Sequence, residues 1–342
     1  MREASKRMLN GYTLLMKTLV AGLLGATLAT GSASAKDVVV PHAKGEIVLR
    51  ATPINAAVFD LASLDILRAL SVETVAGVPK GAEGKGNFPV HLAQYADARY
   101  RNVGSLFEPD IPALTALRPD LIVIGGRSSK AYETLTNIAP TIDMSSPSTD
   151  LAALTIANTR TLGRIFGVER RADRRTAEFG KLVKRLHAQA GNAGTGLLLF
   201  GAGENLTVQS PGDRFGHAYN FIGIKSAIPT VRRPVSASER DPRPAAGSFE
   251  AIALRNTQQK ALAIALATNP SWIFVIDRTA ATGGEPSKIT EKLAANKAIA
   301  VTSAWKAGRV IYLDPKTWYI VGAGIDALSK SAEEILMALR AG

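Results

Sequence analysis

Three arginines and a tyrosine occupy positions from which they could hold a negatively charged ligand. Arg127 follows the apolar run Leu121-Ile-Val-Ile124 through Gly125-Gly126, and Arg278 follows Trp272-Ile-Phe-Val-Ile276 through Asp277. Ligands of open α/β sheets bind just beyond the carboxyl ends of the strands, where both arginines fall. Arg214 lies in the turn-rich segment Ser210-Pro-Gly-Asp-Arg-Phe-Gly216. One arginine in such a place is as readily a surface or ion-pairing residue, but three in loops of one kind favour a shared cleft. A guanidinium is always charged, offers a planar fork of donors and stacks on aromatic faces, so it suits a ligand that is both anionic and aromatic. Downstream, Tyr312-Leu-Asp-Pro-Lys-Thr-Trp-Tyr319 follows another strand, which predicts Trp318 and Tyr319 in a loop at the same sheet edge. Trp318 reads either as packing onto the fold or as a ligand contact. Tyr319 reads as a binding residue and a candidate Fe(III) ligand, because phenolate oxygen is a hard donor. A free phenol ionises at about pH 10, and a nearby metal ion lowers that value.

Enzyme signatures are missing. There is no Gly-x-Ser-x-Gly elbow, no Gly-x-x-x-x-Gly-Lys-Ser/Thr phosphate loop and no His-Glu-x-x-His pair. The chain has no cysteine, which removes disulfides, thiolate metal sites and cysteine nucleophiles. His42, His91, His187 and His217 are far apart, and none has local metal-ligand spacing. The chain is expected to be no enzyme and to carry no intrinsic cofactor.

The elements that would position these residues alternate between short apolar runs and helical patterns, which reads as α/β. Strands are expected at 46–50, 74–78, 121–124, 196–200, 272–276 and 309–313, and a helix over 57–70. Gly81 to Gly86 reads as a glycine-rich turn. Between 150 and 190, apolar residues recur at three and four spacing with breaks at Gly163 and Gly167, which predicts two successive helices. The second, 168–190, would bridge an N-terminal α/β lobe (36–167) and a C-terminal one (191–342) with mostly parallel sheets. A last helix is expected from Ile325 to Leu339. Ala251-Ile-Ala-Leu254 recurs as Ala263-Ile-Ala-Leu266, and that offset does not restore one helix face.

The first 35 residues carry Arg2, Lys6, Arg7 and Lys17, then an apolar run from Thr18 to about Ala29, then Ala33-Ser34-Ala35. That is the pattern of a secretory signal peptide cleaved after Ala35. The run is too short to span a bilayer, which needs about 20 residues. With no cysteine for a lipid anchor, the mature chain is expected free in a Gram-negative periplasm. Removing the leader's four Lys/Arg and one Glu from the chain's 41 and 29 charged residues leaves a net +9. A basic surface favours an anionic partner, and an exported protein meets little nucleic acid.

The ordered segments Val58-Phe-Asp-Leu-Ala-Ser-Leu-Asp65, Asn102-Val-Gly-Ser-Leu-Phe-Glu-Pro109, Leu117-Arg-Pro-Asp-Leu-Ile122 leading to Gly126-Arg127, Asp213-Arg-Phe-Gly216, Phe274-Val-Ile-Asp-Arg278 and Tyr312-Leu-Asp-Pro315 with Trp318-Tyr319 carry a resemblance. Together they resemble the ferric-catecholate siderophore-binding proteins, helix-bridged periplasmic receptors of ABC importers. The resemblance implies that Arg127, Arg214 and Arg278 line a positive pocket for catecholate oxygens. It implies that Tyr319 coordinates iron when the siderophore leaves sites open. It also implies acidic residues that dock on an inner-membrane permease. Glu250 matches in the second lobe, whereas the first-lobe position is Pro112, which leaves Glu108 or Asp110 as substitutes. The chain departs from the family at Glu239–Ala246, which lacks the histidine that completes the iron shell; Arg240 or Arg243 would add positive charge there. The extra residues at 255–266 would reshape one rim.

The expected ligand is a ferric siderophore of catecholate type, delivered by a monomeric receptor to its permease. Haem, a corrinoid or a ferric hydroxamate on the same fold is the alternative cargo, and an exported α/β hydrolase the more remote alternative.

Overall fold

The computed structural model describes residues 37–203, 205–231, 244–245, 247–283 and 288–342. The leader, residues 232–243 and residue 246 lie outside them, and with these the expectations for the cleavage site, Arg240 and Arg243.

Two five-stranded sheets organise the chain. The first runs in the spatial order Arg101–Asn102, Val75–Val78, Ala56–Val58, Leu121–Ile124, Thr141–Asp143, and all its neighbours are parallel. The second runs Lys225–Ser226, Thr195–Ala202, Trp272–Asp277, Val310–Leu313 in parallel, with Asn205–Gln209 antiparallel to Thr195–Ala202. Every residue of Leu121–Ile124 and of Trp272–Asp277 is buried, as a parallel strand covered on both faces requires. The α/β expectation with mostly parallel sheets is met.

Of two local expectations, one is met and one is corrected. Residues 46–50 do form a strand, Gly45–Leu49, but it pairs antiparallel with Val38–His42 in a separate hairpin. The predicted helix over 57–70 begins as the strand Ala56–Val58 and becomes helical only over Leu61–Ala69. Asp60 makes the break: its carboxylate accepts from the Ser63 amide at 2.9 Å and the Ser63 hydroxyl at 2.6 Å, capping the helix and ending the strand before it.

Two helices follow the first sheet, Leu151–Ile165 and Glu169–Ala190. In the longer one Ala172, Thr176, Phe179, Leu182, Val183, Leu186 and Ala190 are buried at three and four spacing, while most of its charged residues face water. This helix packs on Leu151–Ile165 and on the last helix, Ile325–Ala341.

The first-sheet and second-sheet halves also meet through side chains. Asp65, fully buried in the helix Leu61–Ala69, accepts from the amides of Asp326 at 2.9 Å and Ala327 at 3.1 Å, and lies 2.7 Å from His91 Nε2. It supplies the cap that Gly324 cannot, and a Cβ on Gly324 would stand 2.6 Å from the Asp65 carboxyl carbon. Asp326 in turn pairs with Arg68 at 2.7 Å and with Arg175 of the long helix. Among the described residues no helix is long and apolar enough to cross a membrane.

Candidate functional site

Arg127 leaves the first sheet as the sequence predicts. The buried strand Leu121–Ile124 delivers the chain to Gly125, where a Cβ would stand only 2.6 Å from Asp60 Oδ1. Glycine at this point lets the backbone pass the capped helix and turn Arg127 outward. Arg278 leaves the second sheet the same way. Asp277 ends the strand and caps the short helix Arg278–Ala281, with its Oδ1 accepting from the Thr279 amide at 2.9 Å. Tyr319 comes from a third segment. The predicted loop is instead a turn of π-helix, Thr317–Val321, started by the Asp314 carboxylate accepting from the Thr317 amide at 2.7 Å.

These segments converge on the Tyr319 ring. The guanidinium carbons lie 5.6 Å (Arg127), 5.2 Å (Arg214) and 5.9 Å (Arg278) from its centroid. Arg278 Nε donates to the phenol oxygen at 3.0 Å, and Arg127 donates to the Tyr319 carbonyl. Phe200 and Phe215 stack on each other at 4.9 Å, and each sits 6.1 Å from Tyr319, forming an apolar floor. Neither Arg127 nor Arg278 has an ion pair with a carboxylate among the described residues.

The electrostatics follow from that crowding. Burial alone would raise the Tyr319 pKa, but the bond from Arg278 and the charges of Arg278, Arg214 and Arg127 outweigh it and lower it below the ordinary phenol value. The Arg127 pKa is lowered by burial first and by Arg214 second, with Tyr319 and Asp60 opposing. The site stores positive charge that an anion would relieve.

Trp318, read as either a packing residue or a ligand contact, is 3% exposed. Its indole N–H donates to Ser331 Oγ at 2.9 Å, and its ring meets Phe221 edge-on at 5.6 Å. Packing wins: the indole is held in the core and fixes the turn that presents Tyr319. His217 stacks parallel on the same indole at 6.1 Å, and burial chiefly lowers its pKa to about 4, so the ring is neutral. The other histidines are dispersed: His42 beside Tyr132, His91 on Asp65 and His187 against the Phe221 carbonyl. Among the described residues no three His, Cys, Asp or Glu side chains gather as a metal site.

Glu108 and Glu250 are both exposed. Glu250 lies in the first turn of the helix Phe249–Ala267, whose Ser248 cap accepts from the Ala251 amide at 3.1 Å. Residues 255–266 are part of that helix, and only its C-terminal end is buried. The sequence reading assigned no role to Asp60, Phe107, Phe200 or Phe215. An aspartate three residues before a serine signals the Asp60 cap, but nothing local marks the three phenylalanines as neighbours of the arginine cluster.

The family model described as "Periplasmic binding protein" matches residues 57–317. The chain belongs to that family. It is 29% identical over 321 residues to the petrobactin-binding protein YclQ of Bacillus subtilis, covering 91% of each chain. Among solved structures it is similar to the catecholate-siderophore binding protein VctP of Vibrio cholerae, at 27% identity and TM-score 0.70, covering 90% of this chain and 100% of that one. It is also similar to the siderophore binding protein BauB, solved with two molecules of acinetobactin and ferric iron, at 26% identity and TM-score 0.72, covering 89% and 99%. A family of binding proteins is one of receptors rather than enzymes, which disposes of the hydrolase alternative.

Proposed function

We propose that this chain is the substrate-binding component of an ABC importer and captures an anionic ferric siderophore of catecholate type between its two sheets. The observation that carries the reading is the convergence of Arg127, Arg214 and Arg278, from three separate segments, on the single ring of Tyr319. A tris-catecholate Fe(III) complex carries about three negative charges, and three guanidinium groups match that charge while stacking on its rings. The aromatic floor of Phe200 and Phe215 suits the planar part of such a ligand. The petrobactin, catecholate and acinetobactin ligands named for the similar proteins support the same chemical class.

In this reading residues 36–167 and 191–342 act as two lobes, and the helix 168–190 is the rigid element between them. Tyr319 serves as a direct iron ligand where the siderophore leaves coordination sites open. Its lowered pKa favours the phenolate that iron requires. Glu250 and Glu108 dock the loaded receptor on its permease, each from an exposed position on a different half. The receptor works as a monomer in the periplasm after cleavage at Ala35.

Titration of the protein from residue 36 onward with ferric catecholate, ferric hydroxamate and haem, followed by tryptophan fluorescence, tests the reading. Tightest binding of a ferric catecholate is the expected outcome. Preference for haem or a hydroxamate, or no quenching by any ferric catecholate, would sink it.

A further inference from the structure

Phe107 is out of place for an apolar side chain. It is 64% exposed, yet it stands on a closely hydrogen-bonded turn of the first half. Ser105 Oγ accepts from the amides of Phe107 at 3.2 Å and Glu108 at 3.0 Å, and the Ser105 amide donates back to the Glu108 carbonyl at 2.9 Å. Gly104 and Pro109 close the turn with a bridge, and the Asp110 amide reaches the Val103 carbonyl at 2.8 Å. Gly104 has φ +114°, and a Cβ there would stand 2.4 Å from the Glu108 carbonyl oxygen, so the tight return depends on glycine. The turn therefore fixes the backbone from which the Phe107 ring projects, and the direction of the ring is read from its contact with Arg127.

That direction is toward the cationic cleft. The Arg127 guanidinium lies 5.8 Å from the Phe107 centroid and 5.6 Å from the Tyr319 centroid. One cation is thus bracketed by two rings, one from each half of the molecule. Tyr319 is half-buried and committed to Arg278, whereas most of the Phe107 ring meets solvent. An exposed aromatic face beside that arginine is a ready stacking partner for a planar ring whose oxygens bind the arginine.

We propose that Phe107 is a specificity-determining residue whose ring stacks on an aromatic ring of the bound ferric chelate and so selects aromatic over aliphatic siderophores. This rests on the functional reading above. Because Phe107 is exposed and packs little, its replacement leaves thermal unfolding unchanged, and affinity reports the ring alone.

The experiment measures ferric-catecholate affinity by fluorescence quenching for the wild-type protein and for F107A, F107L and F107W. The expected result is a loss of about 3- to 10-fold for both F107A and F107L, in the range of one aromatic pair, with F107W within about 2-fold of wild type. Undiminished affinity in F107A overturns the proposal. So does F107L binding as well as F107W, since apolar area rather than an aromatic face would then suffice. Intact binding in F107A with loss of permease-coupled uptake also overturns it, because the ring would then belong to the membrane partner's docking surface beside Glu108. Wild-type protein that binds no ferric catecholate removes the underlying functional reading instead.

Discussion

Of the contacts that join the first-sheet and second-sheet halves, the Asp65 junction and the Tyr319 junction treat charge in opposite ways. At the Asp65 junction every charge is answered by the chain itself. Asp65 holds two helix amides and His91, and Asp326 holds Arg68 and Arg175. At the Tyr319 junction three guanidinium groups crowd one phenol, and neither Arg127 nor Arg278 has a carboxylate partner among the described residues. A junction that satisfies itself contributes stability. One in which Arg127 and Arg278 lack a carboxylate ion pair among the described residues leaves electrostatic free energy to be released by an outside partner. Even the volume of open space does not reverse this. A crevice of about 750 Å³ lies at the Asp65 junction, lined by Arg68, Arg99, Glu73 and Asp326 among others, and its charges balance.

The comparison breaks most visibly at Asp65. Asp65→Ala leaves two helix amides, one of them buried, and His91 without their acceptor and should lower unfolding free energy by about 3 kcal/mol in urea melts. Ligand affinity of the folded fraction should barely change. If instead D65A is as stable as wild type, the self-satisfied junction contributes nothing and the contrast fails. The converse substitutions are Arg127→Ala, Arg214→Ala and Arg278→Ala. Each should weaken ferric-catecholate binding by about 1–3 kcal/mol, the worth of a charged hydrogen bond, without a comparable loss of stability. Affinity unchanged in all three would dissolve the cationic site.

Protonation sharpens the same contrast. His217 is held neutral with a pKa of about 4, below its unfolded value of 6.5. In that window the unfolded chain binds the proton and the folded one does not, so stability falls as pH drops from 6.5 toward 4. His217→Gln should flatten this dependence by about 3 kcal/mol, read from urea midpoints at about pH 7 and about pH 4. An unaltered slope would show that burial against the Trp318 ring does not hold the imidazole neutral. The smallest effect is expected from Tyr319→Phe in the ligand-free protein. Its phenol is shifted downward, so the variant should lose tyrosine ultraviolet titration below the ordinary phenol range, while a titration curve identical to wild type would show that the arginines do not lower it.

Much of the architecture was legible because it follows from local periodicity. The runs 121–124 and 272–276 read as strands and are so, and two successive helices follow as anticipated, although only Gly167 lies between them and Gly163 stays inside the first. The errors were local as well. Residues 57–70 have enough apolar residues at helical spacing to hide a three-residue strand, and only the Asp60–Ser63 cap separates them. The turn holding Trp318 and Tyr319 is helical because Asp314 caps it, a bond that spacing alone leaves ambiguous.

From the order of residues came the α/β class, the positions of the strand ends and the arginines and tyrosine that stand just beyond them, since each is a property of a short stretch of chain. Proximity between stretches is a different matter. That Arg127 and Arg278 meet on one ring, that Trp318 turns inward while Tyr319 does not, that Asp65 caps the last helix from the far end of the chain, and that Phe107 faces Arg127 were all settled by packing. The physical reason is that long-range contacts are selected by the shape of the whole core, and no local pattern records which surfaces that core will press together.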